Sequence, residues 1–214
     1  MDERIDHAQE LCDRATFGGE EDVLPEADLA LDGVEADLEL ARGKVLHARF
    51  LRRRTADEGE LAHFRRASEL YRSLGDRRGE GEAWFWTGVY HQVVRGDGEA
   101  ALPALHRSRE LATAAGDRRT LSYALRHLGI AAHMAGELGE ARALLEESTG
   151  LRRELALPAG VAANLVGLAY LAGAEGRPAD GLALLDEAAD LAAGAGAKAV
   201  QESIDEARAA LGRG

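Results

Sequence analysis

The chain of 214 residues is poor in the side chains that most often carry chemistry, and each shortage closes a class of function. Cys12 is its single cysteine, which excludes an internal disulfide framework and any cysteine-rich zinc site. Its place in an apolar stripe reads as a buried spectator rather than a nucleophile. No run of about 18 apolar residues exists to span a bilayer, and the opening MDERIDHAQEL alternates charges instead of leading into an apolar signal segment. A cytoplasmic protein without membrane contact is the expectation. Neither H-E-x-x-H nor G-x-S-x-G occurs, and GAGAK at 194–198 lacks both the GK[ST] ending and the preceding strand of a phosphate loop. Glu60 and His63 have the E-x-x-H spacing of di-iron bundles, but no second copy completes such a site. No metal, cofactor or catalytic set is expected, and nothing in the residues proposes an enzyme.

Charge is present in quantity and unevenly placed. The formal net charge is −12, yet residues 1–40 hold 14 acids and two bases, while residues 41–80 hold six acids and 11 bases. An acidic chain repels phosphate backbones and anionic lipid, so nucleic acid is not an expected partner. The patch HARFLRRRT at 47–55 reads as a solvated helix face. The acidic stretch from Glu20 to Glu39 could fold across Arg49, Arg52, Arg53, Arg54, Arg65 and Arg66 and occupy part of a groove as an internal pseudo-ligand.

With 46% hydrophobic and only 5% aromatic residues, Ala- and Leu-rich helices are indicated, and the chain repeats. GDRR occurs at 75–78 and at 116–119, and Gly96, Gly136 and Gly176 recur every 40 residues, as do Leu105, Leu145 and Leu185. Between these markers apolar residues keep helical spacing, as in Leu121, Ala124, Leu125, Leu128 and Ala132, with no strand alternation. Gly ends one helix and Asp starts the next. First helices near 79–95, 119–135 and 159–175 thus alternate with second helices near 98–114, 138–154 and 178–193. An earlier pair covers about 33–54 and 58–73, a lone helix stands at 3–16 and another at 198–211, and FGGEEDVLPEAD at 17–28 reads as a loop.

LGIAAHMAGELGEARALLEES at 128–148 resembles a tetratricopeptide repeat, with its Leu128-Gly129 pair, small Ala132, then Ala141, Leu145 and Ser148. The period is longer than the family's usual ~34 residues. It is similar to the long variety in kinesin light chains and in the regulatory arms of bacterial ATP-dependent transcriptional activators. The resemblance implies an all-α, right-handed α-solenoid of about four repeats. Residues 1–32 would form an N-terminal capping helix and acidic loop, 33–195 the repeat array, and 196–214 a C-terminal capping helix.

One stretch departs from the period. In WFWTGVYHQVVRG, 84–96, counting forward from the GDRR turns aligns Gly88 with Gly129, whereas counting back from Gly96 and Gly136 aligns Val89 with it. One extra residue therefore lies between Gly88 and Gly96, to be absorbed by a π-bulge or a loosened last turn. Trp84 reads as core. In tetratricopeptide arrays the first helices line the concave face, so the resemblance puts Trp86, Tyr90, His91, Tyr123, Arg126, His133 and Tyr170 on or near a groove, with Asn164 and Lys44 less securely placed. The competing reading packs Trp86 and the tyrosines against the acidic segment or between repeats. The expected function is a non-enzymatic scaffold or regulatory adaptor that binds a protein or peptide segment. The alternative is a small-molecule sensor or atypical enzyme with a pocket around Trp86, Tyr90, His91 and Arg126.

Overall fold

A computed structural model describes residues 2–212. Ten α-helices follow one another with no strand among the described residues: α1 Glu3–Gly18, α2 Leu24–Arg53, α3 Gly59–Ser73, α4 Arg77–Val89, α5 Gly98–Ala114, α6 Arg118–Met134, α7 Leu138–Glu154, α8 Pro158–Ala174, α9 Pro178–Gly194 and α10 Lys198–Leu211. The chain divides into two compact units, residues 1–115 and 116–214, of which the last two residues lie outside the described set. Within each unit consecutive helices pack on one another, the stacked-pair arrangement of an α-helical repeat solenoid.

In the second unit the period is finer than the 40 residues read from sequence. Helices of 17 residues start at 118, 138, 158 and 178, and α10 starts at 198. Each junction turns on a residue with positive φ at 116, 136, 156, 176 or 196. Four of these are Gly and one is Ala156, at φ 52°. At 136 the Gly N–H donates to His133 O at 3.0 Å and the Glu137 N–H to Ala132 O at 2.9 Å, which closes the last turn of α6 and reverses the chain. Where Asp follows the glycine it caps the next helix, as Asp76 does by accepting from the N–H groups of Arg78 and Gly79 at 3.0 Å.

In the first unit α2 is the organising element. The aromatic ring of Phe64 lies flat on its backbone at Gly43, where an added Cβ would sit 2.4 Å from the ring. Ala36 and Leu40 of α2, Phe64, Ala67, Leu70 and Tyr71 of α3, and Ala83 of α4 form one buried cluster. Ala8 and Leu11 of α1 bury against Ala27 farther up α2.

The loop expected at 17–28 is corrected. Only a left-handed Gly19 and a short 3-10 turn, Glu21–Val23, separate α1 from α2, and the boundary expected at residue 33 falls inside a 30-residue helix. Pro25 misled because proline marks loops in general but is favoured in the first turn of a helix, where its missing N–H has no partner to lose. For the same reason the acidic stretch is no flap over a basic pair: it is the first half of α2 itself. Its Glu35 and Glu39 are held by Arg66 at 2.8 Å and His63 at 2.6 Å of α3.

Candidate functional site

The extra residue in the first unit is absorbed as a π turn, Tyr90–Val94, that continues α4. The Arg95 N–H donates to Tyr90 O at 3.1 Å, five residues back, where an α-helix would reach back four. Tyr90 is 8% exposed, so it belongs to the interior rather than to an open wall. His91 is half-buried with its ring edge-on to Tyr90. Burial, and secondarily the charge of Arg65, push its imidazole below the usual 6.5, which keeps it neutral at physiological pH.

The two tryptophans do not divide as core and groove. The buried aromatic of the trio is Phe85, and Trp84 and Trp86 flank it about 100° to either side, so each straddles interior and solvent. Trp84 donates its Nε1 proton to Glu80 at 3.2 Å, beneath the guanidinium of Arg72. Trp86 packs on Phe64, Phe85 and His47, with Lys44 Nζ 5.9 Å from its ring, and its own Nε1 is buried without an acceptor. Glu60 and His63, three apart on α3, turn to separate partners on α2, His47 at 2.9 Å and Glu39 at 2.6 Å. No group of three or more His, Cys, Asp or Glu that could hold a metal occurs among the described residues.

The second unit brings three of the expected residues together. Arg126 and His133 of α6, Tyr170 of α8, and Val200, Ser203 and Glu206 of α10 line one half-open recess of about 290 Å³, floored by Ile130, Val166 and Gly167. Alternate helices α6, α8 and α10 build it because each 40-residue helix pair returns every second helix to the same side. Asn164 lies behind the recess rather than in it, fully buried. Its Oδ1 accepts from Arg126 Nη1 at 3.1 Å and from Arg152 Nη1 at 3.0 Å. Its Nδ2 donates to Ser148 Oγ at 2.8 Å and Thr149 Oγ1 at 3.2 Å. Those hydroxyls donate onward to backbone carbonyls of Ser122 and Leu145, both at 2.6 Å. Arg126 also donates to Ala163 O at 2.6 Å and Arg152 to Gly160 O at 2.8 Å, while the Arg152 guanidinium stands 5.0 Å over the Tyr123 ring.

This network holds two guanidiniums on neutral acceptors. Among the described residues neither Arg126 nor Arg152 forms an ion pair, and Arg152 Nε is buried without a partner. Burial pushes Arg126 down from 12.5 to about 10. Burial first, and the neighbouring charge of Arg126 second, push Arg152 to about 10 as well, with Tyr123 acting the other way. Both remain cationic at neutral pH. The arrangement can receive a negative or strongly accepting group at the Arg126 edge, beside the Tyr170 ring and the His133 imidazole. Arg152, Ser148 and Thr149 were not foreseen as part of it. Their signal was present: Leu145, Ser148 and Arg152 sit three or four residues apart, on the stripe of α7 that must be buried.

No family model matches the chain, and no curated protein matches it. No helix among the described residues is long and apolar enough to cross a membrane.

Proposed function

We propose that the chain is a non-enzymatic binding module of tetratricopeptide-like helix pairs, a regulatory adaptor of the bacterial cytoplasm, and that α6, α8 and α10 seat a protein segment carrying an acidic side chain. One observation carries this reading. Arg126 sits at the edge of an apolar-floored recess with only neutral acceptors on its guanidinium, backed by a second cation in the same state. A half-buried charge without a counter-ion is costly, and a carboxylate arriving from outside removes that cost while Tyr170 supplies contact area. The recess is open on one side, and at about 290 Å³ it stands at the lower end of the ~300–1,000 Å³ of pockets that enclose small molecules; its openness favours a segment laid across it over an enclosed metabolite.

The test is fluorescence anisotropy with labelled dodecapeptides that place Glu among apolar residues, each matched by its Glu→Gln counterpart. Acidic peptides should bind about tenfold or more tightly than their amide counterparts, and Arg126→Gln should erase that difference, because one charged contact in a desolvated site is worth that much. Glu206→Gln, which removes the carboxylate at the rim, should strengthen binding. Equal affinity for both peptide sets would end the proposal.

A further inference from the structure

The first unit carries a second surface, and it is independent of the recess. α2 runs for 30 residues, about 45 Å, and its two halves are covered on different sides. α1 packs over the first half through Ala8, Leu11 and the Arg4–Asp37 ion pair at 2.7 Å, and α3 over the second half through Phe64. A bare strip runs along the side that faces away from α3 and beside the α1 contact at Ala27. Leu24, Leu31, Leu38 and Val45 lie there, spaced by seven residues and between 39% and 51% exposed. Six of the nine large hydrophobic side chains exposed among the described residues belong to this one helix. Ala41 and Ala48, also exposed, stand beside the stripe and leave room for a close approach. A seven-residue apolar repeat on a free helix face is the pattern that packs against another helix.

The charges beside the stripe say which helix. Asp28, Glu35, Arg42 and Arg49 follow the same seven-residue spacing, two acids in the first half and two bases in the second. In a parallel pairing of two such helices these four residues lie on opposite flanks and do not meet one another. An antiparallel pairing sets Asp28 against Arg49 and Glu35 against Arg42 of the other copy, with Leu38 near the two-fold axis. Symmetry makes each contact twice. Within the chain Glu35 meets Arg66 and Arg42 meets Glu39, whereas Asp28 and Arg49 enter no ion pair among the described residues. Leu38, Val45, Leu46 and His63 shape a recess of about 380 Å³ next to the stripe, positioned to receive apolar side chains of the other copy.

We infer that α2 pairs antiparallel with α2 of a second copy, making the protein a two-fold symmetric dimer through its first unit. An apolar helix face that no neighbouring helix covers is buried by a partner, and here a second copy supplies it.

Sedimentation equilibrium of the full chain tests this. The expected mass is twice 22.8 kDa at concentrations up to about 100 µM. Leu38→Glu, at an exposed position, should leave the helical circular dichroism intact and give a monomer. Asp28→Lys and Arg49→Glu should each weaken self-association roughly tenfold, since each turns two symmetric attractions into repulsions. Mixed in equal amounts, those two variants should recover wild-type association, because the new lysine then faces the new glutamate. A monomeric wild type overturns the inference, as does a dimer that Leu38→Glu leaves intact. Charge variants that associate like wild type when alone overturn the antiparallel pairing.

Discussion

Replacing Asn164 by leucine separates a network that holds one buried and one half-buried charge from one that merely fills space. The two side chains share one branched heavy-atom skeleton and leucine is the bulkier, so the substitution leaves no cavity. It removes the acceptor shared by Arg126 Nη1 and Arg152 Nη1, and the donor that serves Ser148 and Thr149. The hydroxyls keep their own bonds to backbone carbonyls, so the loss falls on the guanidiniums. Two charge-assisted bonds are worth about 1.5–3 kcal/mol each, and the added apolar burial of leucine returns about 1–2 kcal/mol. The expected net loss is about 3 kcal/mol, a fall of roughly 1–2 M in the urea midpoint. Both tryptophans, Trp84 and Trp86, lie in the first unit, so far-ultraviolet circular dichroism rather than fluorescence reads the change. Arg152→Met removes one of the stranded charges. In that background Asn164→Leu should cost about 1–2 kcal/mol less than it does alone. A single-variant loss below about 1 kcal/mol, or strictly additive costs, would refute the account of two guanidiniums depending on one amide.

Two further outcomes follow from single residues. Ala156 holds the left-handed conformation that Gly holds at the four matching turns, so Ala156→Gly should stabilise by about 0.5–1 kcal/mol in the same urea titration, and a loss of stability would show that the turn is unstrained. Glu60 is fully buried with Oε2 unpartnered, and burial raises its pKa above 4.5 against the opposing pull of His47. A raised folded-state pKa gives stability that is complete below pH 4.5 and lost as pH rises through the folded value. Glu60→Gln should therefore flatten the decline that sets in as pH rises above 4.5. Parallel curves for variant and wild type would assign the decline to other groups.

Much of this was legible in the residues, and particular positions show why. The count around Gly88 and Gly96 located the inserted residue, because a helix has no way to hide a change of register between two marked turns. Arg126, His133 and Tyr170 meet in one recess, because a two-helix repeat returns every second helix to one face. Asn164 and Tyr90 were placed too near the surface, since position on a helix gives a direction but not whether a neighbour stands in that direction. Trp84 and Trp86 were given opposite roles that their symmetric placement about Phe85 does not support.

The sequence by itself determined the helix-pair architecture, the turns and their order, because periodicity, left-handed glycines and capping aspartates act within a few residues of chain. Only the tertiary structure decided that the acidic segment is helical and continuous with the basic one, that two arginines share one asparagine, and that one side of α2 is left uncovered. Those are facts about which helix lies beside which, and burial and electrostatic pairing depend on neighbours that lie far apart along the chain.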